Sequence, residues 1–245
     1  SPDILARINT HLFADSGFHL VRGNPDRPNI RYAVLPVASK SAALRTLLAA
    51  DEGGAPYRTA GRTRPRLRPA VVFCKTRGRC ERTALELRRA LDDDRIRFYH
   101  AGLSREEKTA VEEWFLRSSD GVLIATCAYG MGVDAPGIRA VIHRDLPPTV
   151  ESYLQESGRA GRDGNPAHAI VLAAPSEMTA VASTTGTRWS EFLAGERCRR
   201  AILVEALGAH LEVCPECDVC DGVARVESPV AQVIVNWLSR RRRRY

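Results

Sequence analysis

No apolar run in this 245-residue chain approaches the roughly 20 residues that a membrane-spanning helix needs. The opening SPDILARINTHLF has no basic stretch leading into an apolar core, so no export signal is read there. It also lacks an initiator Met, which points to a fragment or a processed chain. Lysine is scarce and arginine greatly outnumbers it; for the scattered arginines, genomic base composition is explanation enough. No G-x-x-x-x-G-K-[ST] loop occurs anywhere, which excludes the usual cradle for nucleotide phosphates within this chain. Internal repeats are absent too.

What is present is globular in character: 44% hydrophobic and 27% charged residues, enough for one large domain and a small one. The net charge of +7 favours a polyanion partner. Cys74, Cys80 and Cys127 are scattered through apolar or helical stretches, whereas Cys198, Cys214, Cys217 and Cys220 cluster near the end. Without an export signal the thiols should stay reduced. The cluster then favours a metal site over disulfides.

From about residue 30 the pattern alternates strand and helix. IRYAVLPV (30–37) reads as a strand and KSAALRTLLAA (40–50) as a helix. The stretch 51–69 is rich in Gly, Pro and Arg and reads as a mobile basic loop. AVVFCK (70–75) reads as a buried strand before a helix over 78–91, and IRFYHA (96–101) as the next strand. Ser104 and Glu107 have capping-box spacing ahead of REEKTAVEEWFLR. Further apolar, β-branched runs lie at 121–127, 138–145 and 168–174, with a helix expected over 149–157. This alternation predicts an α/β fold, a mostly parallel sheet flanked by helices on both faces. Ligands of such sheets sit beyond the carboxyl ends of the strands, and those ends lead into CKTRGR, YHAGLS and ATCAYGMGVDAPG. After residue 175 the pattern turns helical and then cysteine-rich, which puts a domain boundary near 175–190.

In VESYLQESGRAGRDG, Arg159 and Arg162 stand three positions apart among small residues, with Gln155 upstream on the same helical face. Small residues permit close approach to the backbone, and guanidinium forks suit phosphate oxygens. An anion, a phosphate first of all, is the expected partner. The bland alternative is a helix end punctuated by glycines and carrying solvated arginines.

The run from Val122 to Gly164 resembles motifs V and VI of superfamily 2 helicases, and most closely the RecQ family of DNA helicases. VVFCKTR resembles that family's motif IV, YHAGLS its following block, and DRPNIRY (26–32) the segment joining its two RecA-like lobes. The cysteines, preceded by RCRRAIL, resemble its zinc-binding domain. The resemblance spans roughly residues 20–222. It implies a remnant of the first lobe or linker over 1–25, a second RecA-like lobe over 26–180, and a small helical zinc-binding domain over 181–225. A basic helix or tail would fill 226–245. Neither a phosphate loop nor a DEAD/DEAH-type acidic box is present, so ATP and Mg2+ would be held mainly by a first lobe outside this sequence.

On this resemblance Arg162 is an arginine finger, Arg159 a second phosphate or relay contact, and Gln155 their orienting partner. Gly130 and Gly132 would allow close approach of backbone to nucleotide. Asp134 would bond the arginines or a nucleotide hydroxyl, unless it is only a turn residue before Ala-Pro-Gly. Lys75, Thr76, Arg77, His100 and Thr126 are the expected contacts to single-stranded DNA, held mostly through phosphates. A solvated basic loop is the alternative for Lys75–Arg77. Cys214-x-x-Cys217-x-x-Cys220 with Cys198 offers four thiolates to one structural Zn2+; unliganded thiols, or His210 replacing one cysteine, are the alternatives.

The expected whole is an ATP-dependent 3′–5′ DNA helicase of repair and recombination. It would be intracellular, and cytoplasmic and nucleoid-associated if bacterial. It would act on single-stranded and duplex DNA, with no membrane partner and an unspecified oligomeric state. The rival reading is a non-catalytic, zinc-containing nucleic-acid-binding module.

Overall fold

The computed structural model describes residues 7, 10, 11, 23, 25–49, 66–129, 135–182 and 187–222. Gly130, Gly132 and Asp134, most of the basic stretch 51–69, and the tail 226–245 lie outside the described residues. In chain order the elements are β1 (Ile30–Pro36), α1 (Lys40–Leu48), β2 (Ala70–Phe73), α2 (Arg77–Leu91), β3 (Ile96–Tyr99), α3 (Arg105–Arg117) and β4 (Val122–Ala125). There follow β5 (Ala140–His143), α4 (Val150–Ser157), β6 (Ala167–Ala173), α5 (Pro175–Ala182), α6 (Arg188–Ala194) and α7 (Arg199–Ala206).

The strands make one sheet in the order β1-β6-β5-β2-β4-β3, parallel at every pairing. Every residue of β2, β4, β5 and β6 is buried. That is why these strands read as continuous apolar runs rather than alternating ones: helices cover both faces. On one face α1 and α2 supply Leu44, Leu47, Leu48, Cys80, Ala84 and Leu87. The other face packs against Phe115 of α3, Val150 and Tyr153 of α4, Phe192 and Leu193 of α6, and Ile202, Leu203 and Ala206 of α7. The helices after residue 187 therefore share the core of the sheet. No helix among the described residues is long and apolar enough to cross a membrane.

Local sequence sets the helix starts. Ser39, Thr76, Ser104, Thr149 and Thr187 each cap a helix by accepting a backbone N–H from the first turn. Ser104 and Glu107 form the expected reciprocal box. Not all of the basic stretch is loop-like: Leu67 and Arg68 are buried, and Arg68 donates to Asp93 at 2.6 Å and to the Leu48 carbonyl at 2.9 Å. Burial alone would raise the Asp93 carboxyl, but hydrogen bonds from Arg95 and Arg68 hold it down to about 2.

Strand β2 lies between β5 and β4. The chain leaves it for β4 and β3 on one side and takes up β5 and β6 on the other. The carboxyl end of β2 thus opens onto a crevice where the crossover direction changes, a place where α/β sheets bind ligands.

Candidate functional site

Two groups of side chains stand out, and one strip of chain joins them. The first is the turn after α4. Gly158 caps the helix, and the backbone then tightens through bonds from Arg159 N to Glu156 O (3.2 Å) and from Ala160 N to Ser157 O (3.0 Å). Gly161 N donates to Ile138 O at 2.8 Å, stitching the turn to the segment ahead of β5. At Gly161 the backbone is left-handed, with φ of 55°, and a Cβ there would lie 2.5 Å from Asn29 Nδ2 and 2.7 Å from Asn165 O. Only glycine fits both the dihedral and the space.

This turn brings the two expected arginines together. Arg159 and Arg162 line one narrow slot with Tyr129, Ala135 and Ile138. Arg159 is half-buried and its guanidinium lies 5.9 Å from the centre of the Tyr129 ring, while Arg162 is exposed. Burial, and next the neighbouring Arg162 charge, push Arg159 below its usual range. Two positive groups held side by side at a partly desolvated edge invite an anion. Gln155 is exposed on α4.

Arg139 braces the outer side of the turn. It donates to both Asp163 carboxylate oxygens at 2.6 Å and to the Gly137 and Pro166 carbonyls at 2.9 and 3.1 Å. The Arg139 hydrogen bonds hold the Asp163 carboxyl down to about 2. On the inner side, Arg27 donates to the carbonyls of Gly158 (3.2 Å), Ala160 (3.2 Å) and Gly161 (2.9 Å). Asn29 Nδ2 donates to the carbonyls of Gly161 and Asn165 at 2.7 and 2.9 Å.

The expected DNA contacts divide into two sets. Lys75, Thr76 and Arg77 are exposed at the amino end of α2, where the carboxyl end of β2 opens. Asp145, at the end of β5, fixes this corner: one oxygen accepts Lys75 N at 2.9 Å and the other the Arg79 guanidinium at 2.7 Å. His100 and Thr126, in contrast, are buried. His100 Nε2 faces Glu81 at 2.8 Å and its Nδ1 accepts from Gly102 N at 3.2 Å.

The second group is the cysteine cluster. The Sγ atoms of Cys198, Cys214, Cys217 and Cys220 all lie within 4.8 Å of one another, and His210 is exposed outside the group. Cys198 and Cys217 are 3.9 Å apart. Tetrahedral zinc–thiolate bonds of about 2.3 Å place sulfurs roughly 3.8 Å apart, so the donor set fits that ion. Ala201 N donates to Cys198 Sγ at 3.5 Å and Cys220 N to Cys217 Sγ at 3.4 Å; such N–H bonds to sulfur orient metal ligands.

The cluster sits against the free edge of β1. Asp218 N donates to Tyr32 O at 3.1 Å, and Asp218 Oδ2 accepts from Val34 N at 2.9 Å. Its other carboxylate oxygen pairs with the buried Arg199. The fully buried Arg200 donates to Asp26 (2.6 Å), to the carbonyl of Arg27 (2.8 Å) and to that of Ile30. Arg31 pairs with Glu216 at 2.6 Å and with Asp221. The segment Asp26–Arg31 therefore touches the arginine turn with the side chains of Arg27 and Asn29, and Arg200 and the cysteine loop with Asp26, Arg31 and two carbonyls. Of the residues that hold these sites, Arg27, Asn29, Arg139, Asp145 and Asp218 were not singled out by sequence. Arg27 and Asn29 fell within the motif DRPNIRY, Arg139 and Asp145 within the run from Val122 to Gly164, and Asp218 between the cysteines, but no residue type marked any of them as a site residue.

Residues 62–164 match the family described as Helicase conserved C-terminal domain. Strands β2 to β5 and the arginine turn lie within that match. The fold is similar to that of S. cerevisiae Dbp5 solved with RNA and ADP BeF3, with a TM-score of 0.56 and 17% identity over 76% of this chain and 47% of that one. In sequence, the chain is 30% identical over 234 residues to the ATP-dependent DNA helicase RecQ of Pasteurella multocida (strain Pm70), covering 89% of this chain and 34% of that protein. It is 31% identical over 234 residues to RecQ of Haemophilus influenzae (strain ATCC 51907 / DSM 11121 / KW20 / Rd), with the same shares. Against the probable ATP-dependent DNA helicase RecS of Bacillus subtilis (strain 168) it is 42% identical over 110 residues, 45% of this chain and 22% of that one. These matches support a RecQ-family helicase C-terminal region of superfamily 2. The chain spans about a third of the length of the two RecQ proteins.

Proposed function

We propose that this chain is the second motor lobe and zinc-binding part of an ATP-dependent DNA helicase that moves 3′ to 5′ along one strand and opens duplex DNA in repair and recombination. The observation that carries the reading is the turn that holds Arg159 and Arg162 together in one slot at the edge of the lobe. ATP and Mg2+ would be bound chiefly by a first lobe, and closure of the two lobes would bring Arg162 to the γ-phosphate. Arg159 then adds a second positive contact, and Gln155 on α4, one turn ahead of Arg159, would help to orient them. In phosphoryl transfer of this kind, positioning and electrostatics supply most of the catalysis. Gly130, Gly132 and Asp134 belong to the same proposed nucleotide edge.

For DNA, the exposed Lys75, Thr76 and Arg77 make the leading surface, since helix-terminal N–H groups and cations suit phosphates. The buried positions of His100 and Thr126 support a role behind that surface, through the loops they hold. The four cysteines fit Zn2+, which would close the fold around Cys198 and the 214–220 loop. A reduced intracellular setting beside DNA suits both the thiols and the partner.

The test is turnover, ATP affinity and DNA affinity of Arg162→Ala and Arg162→Lys in the full-length protein. A finger acting chiefly on the transition state is worth about 10³–10⁵ in rate, on the order of 4–7 kcal/mol. The alanine variant should lose turnover by that factor while ATP and DNA affinities change little. Lysine should rescue poorly, because it keeps the charge but loses the fork. Near-normal turnover with lost DNA binding would move Arg162 from the nucleotide cleft to the DNA track. Normal turnover with normal binding would make Arg162 a solvated arginine at a helix end, and absence of turnover in the wild-type protein would favour the non-catalytic module.

A further inference from the structure

We infer that Arg27, assisted by Asn29, is a positioning residue for the two arginines, acting through the main chain and not through contact with nucleotide. The inference rests on the proposed role of Arg159 and Arg162. Its ground is which peptide groups Arg27 holds. The Gly158 carbonyl belongs to the peptide plane leading into Arg159, and the Gly161 carbonyl to the plane leading into Arg162. Arg27 donates to both, and to the Ala160 carbonyl between them. Asn29 adds a second donor to the Gly161 carbonyl. The orientation of a peptide plane fixes the direction in which the next Cα–Cβ bond points, so one guanidinium sets the aim of two side chains.

The chemistry explains why arginine stands here. Gly158 is the C-cap of α4, and Ala160 and Gly161 lie in the turn beyond it, where carbonyls have no helical ladder to join and need other donors. A planar guanidinium presents five donors in a rigid fork, enough for three carbonyls at once; an ammonium lacks that geometry. Among the described residues Arg27 meets no carboxylate, so its donors go to the main chain of this turn. Arg27 is itself held: its carbonyl accepts from Arg200 at 2.8 Å and from Ile30 N at 3.0 Å. Neither Arg27 nor Asn29 lines the slot.

The experiment compares Arg27→Ala, Arg27→Lys and Asn29→Ala with Arg162→Ala in the full-length protein. It reads DNA-stimulated kcat, KM for ATP, affinity for a fluorescent ATP analogue and for single-stranded DNA, and the unfolding midpoint. All rates are taken well below that midpoint. A misplacement of about 1 Å costs on the order of 10²-fold in rate. Arg27→Ala should therefore lose about 10- to 100-fold in kcat, with both affinities within about threefold of wild type. Arg27→Lys should lose nearly as much, and Asn29→Ala less. A merely structural role would instead lower kcat and the number of binding sites together, in step with the folded fraction, and that result would overturn the inference. So would normal kcat in Arg27→Ala beside an inactive Arg162→Ala. Normal kcat in Arg162→Ala would overturn the underlying reading of the arginine turn.

Discussion

Gly161 shows how much one missing side chain can decide. A left-handed backbone costs an L-residue about 1–2 kcal/mol. Overpacking against Asn29 and Asn165 adds about 1–3 kcal/mol. Gly161→Ala should thus destabilise the protein by about 2–5 kcal/mol, measured as denaturant unfolding. A loss well under about 1 kcal/mol would mean that the turn relaxes without strain. The sequence made Gly161 legible as a small residue between two arginines. It did not make Arg27 legible, because the groups Arg27 serves are carbonyls, which every residue carries and no residue type marks. Sequence patterns report side chains; a contact to main chain 131 to 134 positions away leaves no trace in them.

At the scale of elements, the helices and strands of the sheet were legible because their periods and caps are local. The covering of β1 was not. Its outer edge takes one bridge, Tyr32 to Cys217, and the two Asp218 bonds. An open strand edge is a liability that folded proteins cover, and here the cover is the loop that carries Cys214, Cys217 and Cys220. A metal ion held by the proposed four-cysteine site would make its binding energy also folding energy for this edge. The protein as isolated should contain about one zinc per chain, and Cys217→Ser should lower metal content and solubility. Chelation should speed hydrogen exchange at the Val34 amide, whose acceptor is Asp218, more than at the amides of β2 in mid-sheet. Unchanged exchange at Val34 in metal-free protein would show that the loop holds its place without the ion.

At the scale of the molecule, alternation of strand and helix was enough to predict a parallel sheet with two covered faces. Strand order was not legible, since short apolar strands such as β2, β4 and β5 are interchangeable in composition. Nor was the sharing of one core by the sheet and the helices α6 and α7, which depends on which side of the sheet those helices meet. The chain contains no phosphate loop, and on the proposed function its arginine turn would meet a nucleotide held by a first lobe. The isolated 245-residue chain should therefore show no significant ATPase, with or without DNA. It should still bind single-stranded DNA weakly, with affinity falling as salt rises. Robust DNA-stimulated hydrolysis by the pure chain would overturn the division of labour between lobes.

The double coverage of β1 also bears on the order in which the protein can be made. Ile30 faces Ala167 in β6, so the first strand of the sheet has no neighbour until 137 further residues have been synthesised. At about 5–20 residues per second it waits on the order of 7–27 seconds on one side, and longer on the other, until Cys217 and Asp218 emerge. Among the described strands β1 therefore stays unpaired longest during synthesis, although in the finished molecule Ile30, Tyr32, Ala33 and Val34 are among the most deeply enclosed residues.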